Sequence, residues 1–128
     1  MTISNAPPPR ALVVDDDRTV AGLLTAFLGR LGIESEMAHD WPTAIKLLES
    51  AAWTLLVTDL QLQPGTPDGT HLIELARRRW PAIRTILVSG SASRDVALPM
   101  VSVADRFIPK PVPFADFANA VRELTAAD

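Results

Sequence analysis

The sequence predicts one α/β domain in which five parallel strands form a doubly wound sheet, with helices packed on both faces as a three-layer sandwich. Three observations carry this. Short apolar runs bounded by turn residues alternate with segments whose apolar residues recur three and four positions apart. The runs ALVV and WTLLVT are dominated by apolar side chains, as strands buried on both sides of a parallel sheet must be. Acidic, hydroxyl and lysine residues stand at the carboxyl ends of these runs, the edge at which open α/β sheets bind ligands.

The elements follow in order. Ala11 to Val14 reads as the first strand. From about Arg18 to Leu31, Val20, Leu23, Leu24, Phe27, Leu28 and Leu31 share one helical face, and Gly32 closes that helix. Ile33 to Met37 alternates, with Glu34 and Glu36 on one side, as a half-exposed edge strand would. Asp40 can cap the next helix, Pro42 fits its first turn, and Ala44, Ile45, Leu47, Leu48 and Ala51 form its apolar stripe. Trp53 to Thr58 is a central third strand. Pro64, Gly65 and Pro67 make Leu60 to Pro67 a loop.

Asp68 and Gly69 start a third helix carrying Leu72, Ile73, Leu75 and Ala76, which ends near Trp80 and Pro81. Thr85 to Ser89 is the fourth strand. Arg94 to Met100 is expected as a fourth helix that Pro99 shortens or kinks. Arg106 to Ile108 is a short fifth strand, followed by Pro109, Lys110 and Pro111. A last helix from near Pro113 presents Phe114, Phe117, Ala118, Val121 and Leu124, a face that suits either the core or a homodimer.

Composition narrows the function classes. A length of 128 residues, nearly half of them hydrophobic, supports one domain with a full core, expected over residues 10–128. Residues 1–9, with Pro7 to Pro9 in a row, read as a disordered leader. The net charge of −3 and the lack of a long basic run argue against direct nucleic-acid binding. The one cationic cluster, Arg77 to Arg79, falls at a helix end, where it offsets the helix dipole. There is no cysteine, which excludes disulfides and thiolate chemistry and fits the reducing cytoplasm. Neither a signal peptide nor a membrane-spanning stretch is present, so no membrane partner is expected.

The strand ends bring together Asp15, Asp16 and Asp17 after the first strand, Asp59 after the third, Ser89 at the end of the fourth and Lys110 after the fifth. Two carboxylates about 4 Å apart repel by roughly 4 kcal/mol at an effective dielectric near 20, so such a cluster calls for a cation. Oxygen-only ligands select a hard ion, and Mg²⁺ suits a site that also binds phosphate oxygens. Lys110 supplies a point charge and Ser89 a hydroxyl donor for those oxygens. His39 and His71 read as ordinary surface histidines.

LVVDDD (12–17), TDL (58–60), ILVSG (86–90) and FIPKP (107–111), in that order and strand context, resemble the receiver domain of two-component response regulators, over essentially the whole chain. The resemblance implies the flavodoxin-like (βα)5 fold with strand order 2-1-3-4-5. It implies that Asp59 accepts a phosphoryl group from a phosphohistidine on a histidine kinase or histidine phosphotransfer protein. Asp16 would ligate Mg²⁺ directly and Asp15 mainly through water, with Asp59 and the backbone carbonyl of Gln61 completing the protein ligands. Ser89 and Lys110 would hold phosphoryl oxygens. Ser89 and Phe107 would form the switch that reshapes a face contacting a downstream protein. Such a domain acts only on its own phosphorylation and dephosphorylation, and can stand alone or form part of a longer protein.

The chain departs from the family pattern at several points. The segment from Asp59 to Gly69 is one or two residues longer than the common pattern, Gly90 replaces the usual alanine, Phe107 stands where tyrosine is frequent, and Pro99 interrupts the fourth helix. Asp17 has no role in the family site and suits a helix N-terminus.

Two other readings share these residues. Asp15-Asp16-Asp17-Arg18-Thr19 fits the D-x-D-x-T signature of haloacid-dehalogenase-like phosphatases, with Asp15 as nucleophile and Asp17 as general acid/base. That reading leaves Asp59 unexplained and lacks a further acidic motif after Lys110. The other is a receiver-like binding module that no longer accepts phosphate, against which stands the presence of every required residue type.

Overall fold

The computed structural model describes residues 8–62, 65, 67–90 and 103–126. Within them the chain forms β1 (Arg10–Val14), α1 (Arg18–Arg30), β2 (Glu34–Ala38), α2 (Trp41–Ser50), β3 (Leu55–Asp59), α3 (Gly69–Arg79), β4 (Arg84–Ser89), β5 (Arg106–Pro109) and α4 (Phe114–Thr125). All strand pairings are parallel, and the order across the sheet is β2-β1-β3-β4-β5. The expected fourth helix, Arg94 to Met100, lies outside the described residues. Among the described residues no helix is long and apolar enough to cross a membrane.

Strand alternation divides the core into two halves. Ala11, Val13, Leu55, Val57, Ile86, Val88 and Ile108 face α1 and α4, meeting Ala21, Leu24, Leu28, Phe117, Ala120 and Val121. Leu12, Val14, Leu56 and Leu87 point the other way, onto Ala44 and Leu48 of α2 and Leu72, Ile73 and Ala76 of α3. Both faces are therefore covered, which is why β1, β3 and β4 read as continuous apolar runs. Phe27 joins α1 to α4, edge-on to Phe114 at 5.0 Å and tilted against Phe117 at 5.9 Å. The apolar face of α4 is thus spent on the core.

Local signals account for the boundaries. Asp17 caps α1 by accepting from the Thr19 and Val20 amides, its expected helix-terminal use. Gly32 ends α1 with φ of 76°, and Ile33 N–H returns to the Leu28 carbonyl. Asp40 caps α2 through the Thr43 amide at 2.8 Å. Asp68 caps α3, accepting from the Thr70 and His71 amides, the Thr70 hydroxyl and the His71 ring. These hydrogen bonds hold the Asp68 carboxyl below the usual carboxylate range even though burial works the other way. Edge strand β2 is largely exposed, as expected, but the expected alternation is not kept: Met37 is exposed and Ala38 is the strand's buried residue, because only the end of this edge strand is covered.

The start of the third strand differs from the sequence expectation. β3 begins at Leu55, because Trp53 turns aside to cover the core edge and donates its indole N–H to the Leu47 carbonyl at 2.8 Å. The Lys110–Pro111 peptide bond is cis.

Candidate functional site

In this strand order the chain leaves β1 toward β2 on one side and returns to β3 on the other, so the crevice of the sheet opens between the ends of β1 and β3. Val14 pairs with Thr58 in that ladder, and the next residues on each strand are Asp15 and Asp59. Ser89 ends β4 beside β3, and the Lys110 amide donates to the Ser89 carbonyl at 2.9 Å, fixing the start of the loop that carries the lysine. On the far side of Asp59, Gly69 N–H donates to the Leu60 carbonyl at 2.7 Å. Any Cβ at Gly69 would collide with the Asp59 backbone carbonyl, so this close approach requires glycine.

The expected acidic residues converge. Asp15, Asp16 and Asp59 each offer a carboxylate oxygen, and these oxygens lie within 4.8 Å of one another. Asp15 is fully buried; its Oδ1 accepts from the Asp17 amide at 2.9 Å and its Oδ2 from Lys110 Nζ at 2.9 Å. Lys110 Nζ also stands 3.3 Å from Asp59 Oδ1. Asp16 is exposed at the mouth of the cluster. Ser89 is buried, and its Oγ has no hydrogen-bond partner among the described residues.

Burial pushes the Asp59 carboxyl up to about 6; the Asp15 charge pushes the same way and Lys110 opposes both. For Lys110, burial favours the neutral amine, but its hydrogen bonds and charge interactions with Asp15 and Asp59 outweigh that and hold its ammonium above the usual lysine value. An acid this reluctant to ionise beside a second buried acid marks charge that the folded chain leaves uncompensated. Three carboxylates and no nitrogen or sulfur donor form a set suited to a hard divalent cation. The unpartnered Ser89 hydroxyl adds a donor for an anion next to it.

The remaining expected residues are placed as follows. Gln61 is exposed, two positions after Asp59. Phe107 lies half-buried on β5, packed against the half of the core formed with α2 and α3. Asp15, the nucleophile of the phosphatase alternative, has both oxygens committed, and Asp17, its general acid/base, is the α1 cap. One residue differs from its expectation: His39 is half-buried, and its Nδ1 lies 3.0 Å from the Asp15 carbonyl. No local pattern signals this contact, because it depends on the β1–β2 register.

A family model for the response regulator receiver domain matches residues 11–122. The chain belongs to that family. This receiver is 33% identical over 107 residues to Protein PetR of Rhodobacter capsulatus, covering 84% of this chain and 44% of that protein. It is 30% identical over 118 residues to the response regulator protein PilR of Pseudomonas aeruginosa, covering 91% of this chain and 25% of that one. The chain therefore spans less than half the length of the curated relatives it matches. Among solved structures, it resembles a CheY-like response regulator receiver domain protein from Methanospirillum hungatei, with a TM-score of 0.81 and 29% identity over 91% of this chain and 93% of that one. A response regulator from Burkholderia pseudomallei, solved with a phosphorylated aspartic acid, a calcium ion and citrate, gives a TM-score of 0.75 at 28% identity, covering 92% of the receiver and 73% of that chain.

Proposed function

We propose that this receiver accepts a phosphoryl group on Asp59 from a phosphohistidine on a histidine kinase or histidine phosphotransfer protein. The observation that carries the reading is the convergence of Asp15, Asp16 and Asp59 beside Lys110 and the unpartnered Ser89 hydroxyl. The phosphorylated aspartic acid and calcium ion in the Burkholderia pseudomallei relative support it.

Asp59 is the acceptor because it is buried enough to shed water yet retains a path to solvent, whereas Asp15 is enclosed and already bonded through both oxygens. With its carboxyl titrating at about 6, Asp59 is mostly ionised at neutral pH and retains the basicity of a poorly solvated carboxylate. One Asp59 oxygen forms a bond to phosphorus as the bond from phosphorus to the imidazole nitrogen breaks. The departing electron pair stays on the imidazole, and an acyl phosphate remains on the receiver. Lys110 and Ser89 hold the phosphoryl oxygens, the first by charge and the second by its free hydroxyl.

Asp15, Asp16, Asp59 and the Gln61 backbone carbonyl would hold Mg²⁺, Asp15 mainly through water. Bound there, Mg²⁺ supplies neutralisation of the charge on the transferring group. Ser89 and Phe107 would carry the change to a surface read by a downstream protein, and the receiver turns over no substrate beyond its own phosphorylation and dephosphorylation.

Intact-mass measurement after incubation with Mg²⁺ and acetyl phosphate tests the assignment. The expected result is one added phosphoryl group in the wild-type chain and none in Asp59→Asn. Mass gain that survives Asp59→Asn would overturn it.

A further inference from the structure

We infer that His39 is a positioning residue for the cation site, acting through the peptide bond that joins Asp15 to Asp16. This rests on the proposed metal role of those two acids. The β1–β2 ladder runs in register through Val14 and Ala38, and the Asp15 amide still donates to the Ala38 carbonyl at 3.1 Å. In a parallel ladder the next rung would be the Asp40 amide donating to the Asp15 carbonyl. That rung is not made among the described residues, because the chain turns at Asp40 to start α2. The His39 ring supplies the missing donor, its Nδ1 3.0 Å from the Asp15 carbonyl oxygen.

A carbonyl oxygen only accepts, so the contact requires the proton on Nδ1. The consequence reaches the next residue. The Asp15 carbonyl and the Asp16 amide belong to one rigid plane, so a donor that fixes this oxygen also fixes the direction in which the chain enters Asp16. Asp15 itself is held at four points: its amide, its carbonyl and both carboxylate oxygens. Asp16 is exposed, and its placement depends on the peptide that His39 orients. Outer-shell partners of metal-binding groups commonly change affinity by about 10–100-fold when removed.

The test is Mg²⁺ titration by calorimetry of wild type, His39→Leu and His39→Asn, whose amide can offer a donor near the Nδ1 position. His39→Leu is expected to weaken Mg²⁺ about tenfold and His39→Asn to restore most of the loss. A ¹H–¹⁵N spectrum of the metal-free wild type is expected to show the His39 proton on Nδ1, and the Asp16 amide resonance to move in the Leu variant but far less in the Asn variant. Equal Mg²⁺ affinity in His39→Leu and wild type would overturn the positioning role alone. So would failure of asparagine to rescue, or a neutral ring protonated on Nε2. Failure of the wild type to bind Mg²⁺ would instead overturn the metal reading on which it rests.

Discussion

The Lys110 ammonium stands 3.3 Å from Asp59, yet burial still pushes the Asp59 carboxyl up to about 6. Burial and the charge of Asp15 therefore outweigh the lysine, and folding makes this acid harder to ionise than it is in the unfolded chain.

The raised acid has a pH signature in the absence of metal. Between about pH 4 and 6 the folded state binds the Asp59 proton more tightly than the unfolded state, so stability falls as pH rises through that window. Two pH units correspond to at most about 3 kcal/mol at neutral pH. Urea unfolding in chelator should show Asp59→Asn more stable than wild type at pH 7 by about 1–3 kcal/mol, with the gap closing toward pH 4. A gap that does not change with pH would rule out the ionisation of Asp59 as its cause.

Divalent cation should reverse that penalty. Mg²⁺ at a hundred times its dissociation constant would stabilise the folded chain by about 2.7 kcal/mol. A melting-temperature rise with Mg²⁺, abolished by chelator and strongly reduced in Asp16→Asn, is the expected outcome. A rise of equal size in Asp16→Asn would remove that residue from the ligand set.

Gly69→Ala should be costly despite being a small change. The new methyl meets the Asp59 backbone carbonyl, which cannot withdraw without shifting the end of β3. A loss of about 1–3 kcal/mol in denaturant unfolding is expected, together with slower phosphorylation if Asp59 is the acceptor proposed above, because the same shift moves it. Alanine at Gly90 is the milder comparison: its Cβ would lie 3.3 Å from Lys110 Cβ, so the backbone carrying Lys110 must give by a small fraction of a bond length, and the loss in denaturant unfolding should be smaller than for Gly69→Ala.

At the opposite end of the sheet, Asp105 accepts from the amide and hydroxyl of fully buried Thr85, and its own amide donates back to that hydroxyl. Asp105→Ala removes the acceptor of the Thr85 amide and of its hydroxyl proton, while the residue-105 amide still reaches the hydroxyl oxygen, at a total cost of about 1–3 kcal/mol. Thermal unfolding should show the loss while calorimetric Mg²⁺ affinity stays at the wild-type value.

The sheet was readable because its central strands are buried on both faces and so carry unbroken apolar runs, and because Asp17, Asp40, Asp68 and Gly32 announce helix ends chemically. The convergence of the candidate residues was readable for a related reason: Asp15, Asp59, Ser89 and Lys110 each stand at a strand end, and parallel strands bring all such ends to one edge. The His39 contact with Asp15 and the Asp105 clasp on Thr85 were not readable. Each depends on how two separated segments register, and the residues involved follow no periodic pattern.

The lysine and the three carboxylates have a further consequence as a count. With the acids ionised, the cluster carries two more negative charges than positive ones, and Lys110 already occupies one place against Asp15. A monovalent ion would leave the cavity in deficit and a trivalent ion would overshoot it. A divalent ion at the proposed site balances that count, and Lys110→Ala would leave the same ion one positive charge short of it.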